Sequence, residues 1–416
     1  MLPTREDDLS MNSEQSEIRE GQVRVGTASF RRINLALFCA GFITFVTLYD
    51  LQPLLPLFAR EFSVSPAIAS LPLSVATAAL AMGMLIAGTL SETLGRRPVM
   101  TVALGLTSLL ALATFFTDAF PALLTLRLVQ GLVLAGVPSV AMAYLGEEMD
   151  AEAIGHAMGL YISGNALGGM TGRIGSAFLC DYLPWQTAIA LIGVISLLLT
   201  LIFFKSLPPS TNFVQRPFHF RYLLTSLYQH LHDPGLLCLY GLAFLSMGGF
   251  VSLYNYIGFR LLAAPYALSQ SQVSLIFLVY LLGSFSSGVV GTLLNRFDRN
   301  FMIRMTLGTM FAGTLLTLSD ALPLIILGVG IFTCGFFSAH AIASSWVGRR
   351  ARTAKAQASS LYLFSYYLGS SISGTVGGIF WMAYGWRGVA TMICALIVAA
   401  FAVAHLLLRL PRAAES

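Results

Sequence analysis

The chain has 416 residues, of which 56% are hydrophobic and only 10% charged, with a mean hydropathy of +0.77. A soluble domain carries about 25% charged residues, so this composition excludes a string of ordinary soluble domains and indicates a polytopic membrane protein. The net charge of +5 and isoelectric point near 9.0 do not imply a nucleic-acid partner, because the basic residues sit at the ends of apolar runs, where orientation in a bilayer accounts for them.

The first 30 residues are polar, with Glu6, Asp7, Asp8, Glu14, Glu17 and Glu20 and no apolar core. They are predicted to be a disordered tail (1–30), not a signal peptide. Apolar runs follow near 33–58, 67–90, 98–117, 119–144, 155–180 and 184–204, and again near 234–260, 271–293, 301–318, 322–346, 356–382 and 387–408. Each is close to the ~20 residues that span hydrocarbon at 1.5 Å per residue. An even number of spans puts both termini on one side. If that side is the cytoplasm, the outward-facing basic residues are Arg60, Arg260 and Arg387, and Arg127 and Arg173 lie inside spans. All the other Lys and Arg residues, of 24 in total, are then cytoplasmic, which fixes the expected orientation. The interval 205–233, with Lys205, Arg216 and Arg221, is the longest internal polar stretch. It is read as a cytoplasmic linker between six-helix bundles at 31–204 and 234–408, with a short tail at 409–416. The five cysteines (Cys39, Cys180, Cys238, Cys334, Cys394) lie in or beside apolar runs without metal-ligand spacing and read as small core residues.

The two sets of six repeat each other. FVTLYD (45–50) recurs as FVSLYN (250–255), and AGTLSETLGRR (87–97) as VGTLLNRFDRN (290–300). GLYISGNALGG (159–169) recurs as SLYLFSYYLGS (360–370), and Trp185 is answered by Trp386. The offset drifts only from 205 to 201, so one six-helix unit has been duplicated in parallel about an axis along the membrane normal. The fold expected is all-α, twelve transmembrane helices in two bundles related by a pseudo-twofold axis.

This arrangement, with GTLSETLGRRP between spans two and three, resembles the major facilitator superfamily over nearly the whole chain after residue 30. The family signature of that loop falls on Gly88, Glu92, Gly95, Arg96 and Arg97, with Thr93 where a base is usual. The resemblance implies that the glycines let spans two and eleven approach. It also implies that the acid and arginines pair with each other and with Glu147 or Glu148 at the end of span four, latching the cytoplasmic side. LRLVQGLVLAG, with Arg127, Gln130 and Gly131, and GNALGG, with Gly164, Gly168 and Gly169, are similar to the fourth- and fifth-helix motifs of the drug–proton antiporter branch, with Asn165 where proline is usual. GLYISGN and ASSLYLFSYYLGSS resemble bacterial inner-membrane transport proteins of the YnfM type. In such a fold, spans one, four, seven and ten line the central cavity and span five packs near them.

One acid stands inside span one. An unpaired carboxylate there costs about 2.5–3.5 kcal/mol on insertion scales, so Asp50 needs a partner or a task. Counting along the spans puts Asp50, Arg127 and Arg173 all about 12–15 Å from the outer surface. Asp50 and Arg127 are the expected proton-coupling pair, since a carboxylate whose partner changes between two conformations can take up and release a proton. Arg173 makes the site net positive and suits an anionic or polar substrate group. Gln52, Asn165, Asn255, Tyr256, Tyr362, Tyr366 and His340 are the further expected substrate contacts. Tyrosines offer apolar area with a hydrogen-bond handle, and His340 is a second candidate titrating group. Asp50 corresponds to Asn255, and Arg127 and Arg173 to Gly328 and Gly374, so charge, and with it coupling, is confined to the first half.

The sequence holds no metal cluster, phosphate-binding loop or nucleophile–base pair, so neither an enzyme nor an ATP-driven pump is expected, and no cofactor is called for. A channel needs no duplicated halves with a latch, and a transporter-like sensor would add a cytoplasmic domain. The expected function is secondary transport across the bacterial inner membrane: proton-coupled export of a small amphipathic compound by a monomer. Proton-coupled or facilitated passage of a sugar or organic anion is the alternative. The partners expected are a small-molecule substrate, protons and the lipid bilayer.

Overall fold

The computed structural model describes residues 22–410 other than 151, 214, 216–219, 295 and 352. Among these residues nine helical stretches are long and apolar enough to cross a bilayer. One of them, Lys355–Arg409, is two spans end to end, with Gly385 (φ 58°) the single non-helical residue inside it. Two more helices, Ala153–Cys180 and Arg299–Leu316, are diluted by glycines and polar residues in the first and by Arg299, Asn300 and Arg304 in the second. The total is the expected twelve, numbered here as spans one to twelve in chain order, in two sets of six.

The boundaries shift by a few residues from expectation. Span one starts at Ala28, inside the stretch read as a tail, because the Thr27 side chain accepts from Phe30 N and caps it. The rest of the expected tails, at 1–21 and 411–416, lies outside the described residues, as does Arg216. The linker carries an amphipathic helix of its own, Phe220–Leu231, which periodicity 3.6 in LLTSLYQHL foreshadows. It docks through His230, whose ring nitrogen lies 3.2 Å from Ala354 O at the start of span eleven.

Two spans are broken where proline removes a donor. In span one the helix Ala28–Tyr49 ends at Asp50 and resumes through a tight turn, Gln52–Leu54, into Leu55–Glu61. Pro53 cannot offer an N–H to Tyr49 O, nor Pro56 to Gln52 O. Span four is likewise two pieces, Phe120–Leu134 and Pro138–Glu148.

Small residues set the packing inside each bundle. A Cβ added at Gly164, Gly168 or Gly172 of span five would lie 2.2–2.5 Å from the carbonyl oxygens of Phe38, Phe42 and Val46 in span one. The two backbones therefore touch along one stripe, as transmembrane helices do at small residues. Span eleven repeats the device on span seven, where a Cβ at Gly369 would meet Phe244 O at 2.1 Å. The halves meet chiefly through spans two and eleven: Ser371 donates to Ser74 O at 2.7 Å, Thr375 to Ser74 Oγ at 2.8 Å, and Gly378 abuts the backbone of Ala67.

Candidate functional site

The break in span one presents backbone carbonyls that have lost their helical partners, and Arg127 of span four meets them. Its Nη1 donates to Thr47 O (2.9 Å) and Gln130 Oε1 (2.7 Å), and its Nη2 to Leu48 O (2.8 Å). Asp50 Oδ1 lies 3.1 Å from the same Nη1, a charge contact outside hydrogen-bond geometry. Asp50 is 0% and Arg127 1% exposed. A carboxylate at a helix C-terminus faces the negative end of the helix dipole, so the guanidinium offsets both the acid and the carbonyls behind it. Buried pairs of this kind add little net stability but are costly to break.

Arg173 does not pair with Asp50. Its Nε donates to Gln52 Oε1 (2.6 Å) and its Nη1 to Gly169 O (2.7 Å), and Gln52 Nε2 in turn donates across the half-to-half interface to Asn255 Oδ1 (2.8 Å). The guanidinium carbon lies 3.9 Å from the ring centre of Tyr49, 4.8 Å from Tyr280 and 5.2 Å from Phe277. Depth counting placed the three charges together, and the structure resolves them into two adjoining clusters joined through span one. Tyr49, Phe277 and Tyr280 were not expected at the site, since an aromatic residue in an apolar run carries no pattern that marks it.

The remaining expected contacts separate by location. Tyr362 and His340 are together, the hydroxyl 3.0 Å from Nδ1, and Tyr366 has its ring 4.9 Å from His340. With Ser246, Ile303 and Phe336 they line a small cavity within the second bundle, with space for about one water. Tyr256 donates to Gly374 O and fills the gap that Gly377 leaves, inside the contact of spans seven and eleven. Asn165 sits in the contact of spans one and five, its Oδ1 against Gly41.

At the end of the molecule where Val23 N donates to Glu148 O, Gly95 takes φ +93°, which explains a glycine there. Arg96 bridges to Glu147 (2.7 Å) and donates to Gly88 O. Arg97 instead donates to Phe204 O (2.8 Å), and Glu148 accepts from Thr211 Oγ1 (2.6 Å) and Asn212 N (2.9 Å) of the linker. Glu92 makes no ion pair among the described residues, and a Cβ at Gly88 would meet nothing within 4 Å. The close approach expected at Gly88 is thus not made on the face where its side chain would point, although Ala87 beside it packs with Leu363 and Phe364 of span eleven. The described side-chain hydrogen bonds between the halves, such as Gln52–Asn255, Ser371–Ser74 and Ser271–Asp181, lie towards the opposite surface. The described hydrogen bonds between the halves are thus gathered on the side away from Gly95.

The profile of the Major Facilitator Superfamily matches residues 35–318. The MFS-type transporter YybF of Bacillus subtilis (strain 168) is 49% identical over 91% of this chain and 94% of its own length. The inner membrane transport protein YnfM of Escherichia coli (strain K12) is 46% identical over 92% of this chain and 91% of its own. Among solved structures the nucleoside transporter NupG superposes with a TM-score of 0.75 at 13% identity, over 91% of this chain and all (100%) of that one, a likeness of fold.

Proposed function

The chain belongs to the major facilitator superfamily, and from that premise we propose that this membrane transporter is proton-coupled and exports a small amphipathic compound by alternating access. The observation that carries the reading is the fully buried Asp50–Arg127 pair at the break in span one. An ionisable pair at membrane depth is expensive, and it sits where a rearrangement of spans one and four would change its contacts. When Arg127 holds the acid, the carboxylate is charged; when the two separate or the surroundings dry, the acid takes a proton. A carrier with both states neutralised internally can turn over in either. Export follows from the likeness of the span four and five motifs to the antiporter branch. In this reading the chain ends face the cytoplasm of a bacterial inner membrane and the monomer is the working unit.

Arg173 favours a second reading for the cargo, an organic anion, because a guanidinium without a carboxylate partner leaves the site net positive. The test is transport by purified protein in liposomes, with a panel of drugs, sugars and organic anions and an imposed pH gradient. Accumulation of a panel compound that vanishes when the gradient is collapsed supports coupling. Flux equal with and without a gradient of either sign overturns it.

A further inference from the structure

The cluster around Arg173 is rich in donors and poor in acceptors. Arginine can only donate, so the bond from its Nε fixes which end of the Gln52 amide is oxygen. Gln52 must then present Nε2 to Asn255, which spends the Asn255 oxygen and leaves Asn255 Nδ2 a buried donor with no partner. The Tyr280 hydroxyl, on the ring 4.8 Å from the guanidinium, is also buried without a partner. Arg173 itself is 2% exposed, makes no ion pair, and has no hydrogen bond from Nη2 among the described residues. Asp50, the buried acid of span one, is held by Arg127.

From this we infer that Arg173 is the anion-binding subsite of the transporter, and that the cargo is a small carboxylate with an aromatic body. The inference rests on the reading that the central cavity carries a small amphipathic compound, and it names the chemistry of that compound. A carboxylate supplies the acceptors that Arg173 Nη2, Asn255 Nδ2 and Tyr280 lack, and a charged acceptor on arginine is among the stronger hydrogen bonds available. The aromatic body follows from the walls. Tyr49, Phe277 and Tyr280 surround the guanidinium, and Phe250 carries the aromatic surface from Tyr280 (5.5 Å) to Phe336 (3.9 Å), which stacks on His340. Flat rings bind among such walls by offset or edge-on contact. Arg173 and Gln52 come from the first bundle, Asn255 and Tyr280 from the second, so an anion held here touches both halves that alternating access must move.

Binding of three probes of matched shape to the purified full-length protein tests this: phenylacetate, phenylacetamide and phenethylammonium, by calorimetry at one pH. Phenylacetate should bind at least about tenfold more tightly than phenylacetamide, a gap of one charge-assisted hydrogen bond. Arg173→Gln should erase that preference, and Arg173→Lys should keep part of it. Equal binding of acid and amide to the unaltered protein, or binding of none of the three, overturns the assignment whether or not the variants fold. Asp50→Asn separates this idea from proton coupling. Retained phenylacetate binding with lost gradient-driven movement upholds both, whereas gradient-driven movement at the unaltered rate sinks the coupling and leaves the anion subsite standing.

Discussion

Asp50 and Arg127 show how one residue constrains the rest of a membrane protein. The acid sits at the last turn before a proline break, where helical carbonyls are unpaired and the dipole is unfavourable, and a single guanidinium answers all three demands. Asp50→Asn keeps the shape and removes the charge that a proton would neutralise. It should abolish accumulation driven by a pH gradient while leaving exchange or downhill flux measurable in proteoliposomes; uphill transport at the unaltered rate would move the proton to another group, His340 first. Arg127→Ala should be harsher, since it strands a buried acid and two carbonyls. A loss of about 3–5 kcal/mol is expected for breaking a buried pair, read as a large fall in melting temperature in detergent. That Asp50 needed a basic partner was legible from its cost in an apolar run. Arg127 was the partner expected; that Arg173, at the same depth, turns to Gln52 instead was not legible, because counting residues gives depth along a helix and says nothing of which way a side chain points around it.

Span five was legible as a motif, and its glycines and Arg173 divide packing from site. GNALGG suggested a functional element with Asn165 facing substrate, and the structure gives two of its glycines a mechanical role: Gly164 and Gly168, with Gly172 beyond the motif, recur every four residues and bring span five onto the backbone of span one. That close contact is what allows Arg173, one position beyond the stripe, to reach Gln52 on the neighbouring helix. Gly168→Val should therefore force the two spans apart at Phe42 O, which lies 2.2 Å from the new Cβ, and overpacking of this kind costs about 1–3 kcal/mol or more. Gly175→Ala, whose Cβ meets nothing within 4 Å, is the control on the same helix. Comparable melting temperatures for the two variants would show that the stripe does not hold the bundle together. The break in span one has an equally local cause, since Pro53 and Pro56 follow Asp50 within two turns. Two of the three aromatic partners of Arg173 were not legible, because span eight supplies Phe277 and Tyr280 from the other half of the chain and nothing local links them to Arg173.

At the scale of the whole molecule the internal repeat made the architecture readable, since two copies of one unit dictate twelve spans and a central interface. The conformation was not readable, because one sequence serves every state of the cycle. The described side-chain hydrogen bonds between the halves lie on the side away from Gly95, and a Cβ at Gly88 would meet nothing within 4 Å. A glycine whose Cβ would touch nothing has no packing reason to be glycine in this state. If alternating access brings the ends of spans two and eleven together in a second state, the backbone of span two would be approached there, and that would give the glycine its reason. Gly88→Leu should accordingly leave folding and the melting temperature within about 0.5 kcal/mol of the unaltered protein, as for a substitution into open space. It should hold the molecule in the state seen here, because closure at that point would bury the leucine against span eleven. Cysteines placed one at a time on the surface opposite the chain ends, in a background lacking the five native cysteines, would then lose most of their labelling by a membrane-impermeant reagent, and turnover would fall with it. Labelling and turnover unchanged by Gly88→Leu would show that spans two and eleven never meet at this residue, and would leave Gly95, with its positive φ, as the one glycine of the loop signature whose identity the structure explains.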